Sequence, residues 1–567
     1  MCLNSDTIRI KNALQTEVRM VELPAKESLD VEFKSDRKTL SDNVIVEEVV
    51  ALSNTEGGSL YIGVEDDGTP SGAQPAHRDT ARLASLIAAK TVPPVPARVE
   101  LIGADTPIVR VGVPRSTAII ATSTGKILKR RVRLDGEPET TPMYPYELTS
   151  RLSDLGRLDF SNQPIPDAET SDFDQLEIEH LRKIVATYRK SDKALLELSD
   201  AELEQALGLV TTVGDKMTPT LTGLLLIGKT EALQRFVPTS EAVFQVLQGT
   251  DVKANVTFHE PLLYTIERII SSIEPWNPVT EIPFGLFNEP VPTFDRDAIR
   301  EAVVNAFGHR DYSMLGRVRI LIDDTGLTIS NPGGFVEGIS VRNLLTADPH
   351  GRNPRLMDAL KRIGLAERTG RGIDRIFEGS LQYGRPLPDY SASTSGKVSV
   401  FISRSEPDTA FVAMVARENE KRTSPLPLQS LLVLDALKQL RRVGADDLGT
   451  NVDISPAQLR QTLETLTEAG LVEATGYGKR RSYTLSSKVY RKTGKAKEYV
   501  RQTDIDKVRY PELILKLAET HGSVTTADVA DLLHIDREQA YYEIRKLMKS
   551  GRLAKAANGP KAYYTLA

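Results

Sequence analysis

Residues Gly223–Thr230 read GLLLIGKT and fit, letter for letter, the pattern G-x-x-x-x-G-K-[ST] of a loop that wraps polyphosphate. Nothing else in the chain would constrain the fold as strongly, because such a loop follows a buried strand and points its backbone N–H groups inward. The four variable residues, however, are Leu-Leu-Leu-Ile, and large aliphatic side chains do not sit exposed around an anion. They read as a buried strand themselves, with Lys229-Thr230 as the turn after it. The preceding GDKMTPTLT supplies no apolar strand. RILIDDTGLTIS (319–330) likewise reads as two strands about a DDTG turn, not as a strand feeding a metal site. The match reads as coincidental, which argues against a helicase motor.

At 567 residues the chain is too long for one core. No apolar run approaches the roughly 20 residues that cross a bilayer, and the N-terminal stretch lacks the apolar core of a signal peptide. Cys2 is the single cysteine, which excludes internal disulfides and cysteine-based zinc fingers. A cytoplasmic protein with no membrane partner is expected. The net charge of −5 is unevenly placed: from Pro425 onward 23 Lys+Arg face 17 Asp+Glu, a surplus of +6, so the first 424 residues carry −11. A cationic tail on an acidic body suits contact with nucleic acid.

That tail repeats one pattern. Its later half has helices over PELILKLAET (511–520), TTADVADLLHI (525–535) and REQAYYEIRKLMKSG, the last capped by Asp536, then two strands around Asn558-Gly559. The earlier half runs likewise through LLVLDALKQL and ISPAQLRQTLETLTEAG to the hairpin LVEATGYGKRRSYTL, whose tip holds Lys479, Arg480 and Arg481. Three helices followed by a hairpin describe a winged helix-turn-helix, in which one helix enters the major groove and basic side chains hold phosphates. Lys479, Arg480 and Arg481, with Arg545 and Lys546 on the last helix, are the candidate contacts. Elsewhere, GRLDFSNQPIPDAETSDFD (156–174) reads as a linker, and the proline-bearing NPVTEIPFGLFNEPVPTFD (277–295) as an extended crossing segment.

Between these segments lies a candidate ligand site. FDRDAIREAVVNAFGHRDYS (294–313) reads as a helix capped by Asp295, and Glu301, Asn305 and His309 lie four apart on one face. A carboxylate can orient water and an amide oxygen can complete the shell of Mg²⁺. ISNPGGF (329–335) reads as a strand ending in a glycine pair, where backbone can approach a ligand. ERTGRGIDRIF (367–377) places Gly370, Arg371 and Gly372 at the mouth of a helix, which favours phosphate. Near the N-terminus, ESLDVEFKSD and SLYIGVEDDG place acids around a strand end, where they could hold a divalent cation for phosphodiester cleavage.

REAVVNAFGHRDYS, ISNPGGF and RNPRLMDALKRIGLAERTGRGIDRI together resemble the GHKL ATPases, and more closely the divergent GHKL-like module of a family of bacterial transcriptional regulators. The resemblance implies ATP and Mg²⁺ as cofactors. By it, Glu301 would position water and Asn305 would hold the metal. Gly333, Gly334, Gly370 and Gly372 would frame ATP, with His309 and Arg371 beside them. Asn331 stands where the family usually places an aspartate to read adenine, and a neutral acceptor binds more weakly. E-S-x-x-x-E-F-K, the NTEGG turn and IGVEDDG resemble the Schlafen AlbA-like domain. In its nuclease branch two glutamates and a later aspartate form the centre, which would place Glu27, Glu32 and Asp66 around Mg²⁺ or Mn²⁺. Lys129, Arg130 and Arg131 could then guide a nucleic-acid backbone.

The expected architecture is α+β and multidomain. It comprises a Schlafen AlbA-like α/β head (21–155), a linker (156–175), a connecting α/β region (176–281), a GHKL-like α/β sandwich (282–405) and two winged helix-turn-helix modules (425–490 and 508–567). The expected function is an ATP-binding, DNA-associated transcriptional regulator working as a homodimer or higher oligomer. A metal-dependent endoribonuclease acting on RNA, gated by the GHKL-like part, is the alternative reading, and a non-catalytic scaffold is the third.

Overall fold

VEFK alternates in polarity and forms strand β1 (Val31–Lys34), which pairs in parallel with β2 (Gly58–Ile62). Between them α1 (Asp42–Asn54) starts at Ser41, whose hydroxyl accepts from Asn43 N–H, and buries Ile45, Val49 and Leu52. Helix α2 (Thr80–Lys90) leads into the short strand β3 (Thr91–Val92), then β4 (Arg98–Ile102) and β5 (Ile108–Val113). The resulting sheet runs β1-β2-β5-β4. β6 (Ala121–Thr122) pairs with β3, and β7 (Leu128–Val132) pairs with β8 (Pro138–Pro142) before α3 (Pro145–Asp154). The buried Asn54 side chain donates to the Ile120 and Leu128 carbonyls and accepts from Ile120 N–H, so the end of α1 fixes where β7 begins. These elements make up one unit of the computed structural model, Met1–Leu158. A second unit spans Asp159–Ala567. The described residues are 23–567 apart from 104, 134–135, 285–286, 349, 368–369, 441, 453, 477–480, 487–509, 534–536 and 557–562.

The second unit begins with a correction. Residues 159–174, expected to be a linker, are packed: Ile165 N–H donates to Pro219 O, Asp174 N–H to Ile227 O, and the Asp159 carboxylate accepts from Arg355 N–H. Helices α4 (Gln175–Thr187) and α5 (Asp200–Leu207) follow, then the ribbon β9 (Val210–Val213) and β10 (Lys216–Pro219). Next come α6 (Leu221–Ile227) and α7 (Thr230–Phe236). Strands β11 (Ala242–Gln248) and β12 (Asp251–Phe258) precede α8 (Leu262–Ile273).

The segment 277–295 is a second correction. Its prolines do not enforce a crossing: β13 (Val279–Phe284) and β14 (Phe287–Pro292) form an antiparallel hairpin. That ribbon has only two strands, so a proline can face an open edge where no N–H is needed. Helix α9 (Arg296–Gly308), β15 (Val318–Ile322), β16 (Gly326–Pro332), α10 (Pro354–Ile363), α11 (Gly372–Leu381) and β17 (Lys397–Ser403) complete the body. Its sheet runs β12-β11-β15-β16-β17, with β11 and β15 parallel and the other pairs antiparallel. Helix α8 packs on β11, α9 on β16, and α9 lies against both α8 and α11.

Helix α12 (Thr409–Lys421) leads to the tail. Its first half is α13 (Leu428–Leu440), β18 (Arg442–Gly444), α14 (Ala445–Val452), α15 (Pro456–Glu468), β19 (Val472–Thr475) and β20 (Ser482–Leu485). Its second half is α16 (Tyr510–His521), β21 (Val524–Thr525), α17 (Thr526–Leu533), α18 (Arg537–Lys549), β22 (Leu553–Lys555) and β23 (Tyr563–Leu566). The halves share element order and sheet order, β18-β20-β19 and β21-β23-β22. Each adds a short strand after its first helix that the sequence reading did not contain. Asp536 and Asn558-Gly559 lie outside the described residues.

Candidate functional site

Asp295 caps α9 by accepting from Ala298 N–H at 2.9 Å, which sets the phase of the whole helix. Glu301 is only 3% exposed and points at the start of α11: a Cβ at Gly372 would run into its Oε1, so glycine is what lets the carboxylate lie there. Burial pushes the Glu301 carboxyl above its ordinary range, and Arg300 only partly offsets this. Glu367 is also buried against its charge, but Lys190 at 2.9 Å and Arg375 at 3.0 Å hold its carboxyl down to about 2. One turn beyond Glu301, Asn305 is half-buried, and its carbonyl accepts from His309 N–H. Burial, with the cations Arg352 and Lys361, pushes the His309 imidazole down to about 4, so it is neutral at neutral pH.

The Glu301 shift has a sign that can be measured. A carboxyl raised in the fold contributes stability that is complete below its ordinary value of 4.5 and is lost as pH rises through the folded value. Glu301→Gln is therefore expected to be more stable than the parent at pH 7, with the gap closing as pH falls toward 4.5, in urea unfolding series. A gap that stays constant with pH would show that Glu301 is solvated.

The glycine pair is a correction. Asn331 pairs with Val398 in the ladder, is buried, and turns its amide nitrogen onto Pro332 O at 3.0 Å. Gly333 N–H is taken by Gly396 O at 2.9 Å, and a Cβ there would meet Asp311 Cβ at 2.7 Å. A Cβ at Gly334 would meet Ser395 O at 2.5 Å. Gly333 and Gly334 thus make room for the chain itself and leave little backbone to offer a ligand. On the other side Gly370 has φ 76, and Arg371 caps α11 with its side chain 71% exposed. The sequence reading missed the clamp beneath the glycines. Arg352 pairs with buried Asp311 at 3.1 Å and donates to Gly334 O, while Asn353 donates to the Gly308 and Arg310 carbonyls. The visible signal was charge in HRD and RNP, next to apolar runs.

GLLLIGKT does not cradle phosphate, but it is not a strand either. Leu221–Ile227 form α6, every residue buried, with Thr220 as its cap. Lys229 follows and donates to Ser171 O at 2.8 Å, and Thr230 opens α7. A short run buried on all sides has neither period, so its polarity pattern cannot separate helix from strand.

In the head, the expected acids do not converge as a metal centre. Glu27 accepts from Phe33 N–H at 2.9 Å, Asp66 sits in the exposed Glu65–Gly68 turn, and Glu32 pairs with Lys34 and Arg130. The acid that does approach Glu32's partners is Glu48 of α1, which lies 3.3 Å from Lys34 and 3.7 Å from Arg130 and accepts from the Thr140 hydroxyl. Among the described residues no three His, Cys, Asp or Glu side chains form a group that could hold a metal. Glu32 and Glu48 are neutralised by cations of the chain, and this donor set does not fit a divalent ion.

Arg130 is a further correction. Its side chain is 0% exposed and donates to the Ser28 and Val31 carbonyls, so it cannot guide a backbone. Lys129 pairs with Glu147, and Arg131 with Glu139 at 2.6 Å. In the tail, Arg481 lies over the Tyr483 ring at 5.4 Å, while Arg545 and Lys546 are exposed on α18. Lys479 and Arg480 lie outside the described residues.

A mixed α+β chain with a small sheet-bearing head and a helix-backed five-stranded sheet is the class these features define. Comparison with known proteins agrees. Residues 27–135 match the family model "Schlafen, AlbA_2", and residues 316–402 match "Putative ATP-dependent DNA helicase recG C-terminal". Residues 150–242 match a domain of unknown function. The chain thus resembles Schlafen AlbA-like proteins that carry a GHKL-like ATPase module. The second match begins after α9, so Glu301 and Asn305 lie outside it. A crystal structure of the DIP2311 protein from Corynebacterium diphtheriae is similar at 20% identity, with 95% of each chain covered and a TM-score of 0.48. No curated protein matches the chain. No described helix is long and apolar enough to cross a membrane.

Proposed function

We propose that the chain is an ATP-binding, DNA-associated transcriptional regulator of the cytoplasm that works as a homodimer or higher oligomer. The observation that carries this reading is the meeting of α9 and α11: buried Glu301 at the helix start, half-buried Asn305 one turn away, and exposed Arg371 at the rim. The ATPase-like match over 316–402 supports it. These residues fit Mg²⁺–ATP. The Asn305 oxygen would hold the ion, the start of α11 and Arg371 would hold phosphate, and Glu301 would orient water. The bound ion would neutralise phosphate charge. Hydrolysis is not required for such a switch.

The tail halves have the element order of winged helix-turn-helix modules, helix, strand, helix, helix and hairpin, and the third helix of the second half carries four basic residues against two acidic ones. The nuclease alternative lacks its donor set, because Glu32 is already engaged by Arg130 and Lys34. Footprinting of the full chain on the DNA upstream of its own coding region tests the regulatory reading. A protected site whose extent or affinity changes with ATP is the expected result. Uniform coating of the DNA, indifferent to ATP, would refute it.

A further inference from the structure

The two tail halves share one architecture but do not present the same third helix. On α15 (PAQLRQTLETLTE) a single Arg460 faces two acids, and Glu464 and Glu468 are exposed one turn apart on the same face. On α18 (REQAYYEIRKLMK) four basic residues face two acidic ones. Ala540, Ile544 and Leu547 bury the inner face of α18. Its outer face carries Tyr541 (49% exposed), Tyr542 (66% exposed), Arg545 and Lys549. Among the described residues neither Arg545 nor Lys549 has an ion-pair partner, whereas Lys546 lies 3.9 Å from Glu543.

Two large aromatic rings left in water between unpaired cations are unfavourable for an isolated helix, and they are common where a partner covers them. Two exposed carboxylates in the same structural place repel phosphate. We infer that the tail reads duplex DNA through α18 alone: Arg545 and Lys549 contact phosphates and the tyrosine pair meets base edges or sugars in the major groove. Helix α15 stays off the DNA. This division of labour rests on the DNA-associated reading above.

The test uses the full chain and a mixed-sequence duplex, with affinity measured by fluorescence anisotropy over a range of KCl concentrations. Arg545→Gln/Lys549→Gln is expected to weaken binding at least about tenfold and to reduce the slope of log affinity on log salt by about 2, one for each lost phosphate contact. Tyr542→Ala is expected to weaken binding with the slope unchanged, and Glu464→Gln/Glu468→Gln to leave both where they were. All these positions are exposed, so melting temperatures should match the parent. A parental affinity and slope in Arg545→Gln/Lys549→Gln would overturn the inference while leaving DNA association intact. Tighter binding to single-stranded RNA of the same sequence would overturn it in favour of an RNA partner. A parent chain that binds no duplex at all would remove the DNA-associated reading and this inference with it.

Discussion

Arg130→Ala will destabilise the first unit by about 3–5 kcal/mol, the usual cost of removing one member of a buried charge network. The guanidinium sits between Glu32 and Glu48 and also donates to the Ser28 and Val31 carbonyls. Its loss leaves two carboxylates in one buried place with only Lys34 to offset them. Hydrogen exchange on the full chain should show β1, β2 and β7 losing protection while the five-stranded sheet keeps its own. Arg131→Ala is the control. That side chain is half exposed and paired to Glu139, and solvent screens such a surface pair, so little stability should be lost with it. If both variants were equally mild and both weakened nucleic-acid binding, Arg130 would be a surface contact and the buried network would be wrong.

Leu225→Ala will cost about 2–5 kcal/mol, as expected for a fully buried leucine whose neighbours cannot collapse into the space. Helix α6 packs against α4 and α8, so the cavity opens in the middle of three helices. Gly223→Ala acts oppositely, by adding an atom that runs into the Leu209 backbone carbonyl, and should cost about 1–3 kcal/mol. Both losses would appear in urea unfolding, with the nucleotide affinity of the folded fraction unchanged. A phosphate-wrapping loop would give the reverse pattern, with little loss of stability and a large loss of nucleotide binding.

The sequence showed local chemistry well. Asp295 before a 3.6-residue period marks α9, and DDTG between alternating runs marks the β15–β16 turn, where Asp323 accepts from Thr325 and Gly326 N–H. Pro456 at a first helical position marks α15. What failed was decided by contacts between distant residues. Glu32 and Glu27 look like metal ligands when read beside Asp66, but the partner of Glu32 is Arg130, brought in by the β7–β8 hairpin. Gly333 and Gly334 look like ligand-facing backbone until Asp311, Arg352 and Ser395 are seen to fill that space. The prolines of 277–295 suggested an isolated crossing, because nothing local announces that the ribbon pairs with itself. Four aliphatics in GLLLI carry no period at all, so burial was legible and conformation was not.

Calorimetric titration of Mg²⁺–ATP into the full chain, its Asn305→Ala variant and its Lys229→Ala variant bears most directly on where nucleotide binds. The parent and Lys229→Ala are expected to bind alike, because Lys229 is spent on the Ser171 carbonyl. Asn305→Ala is expected to bind at least about tenfold more weakly, through the loss of a ligand to the ion. Absence of binding in the parent, or a loss in Lys229→Ala with Asn305→Ala unaffected, would contradict a nucleotide site between α9 and α11.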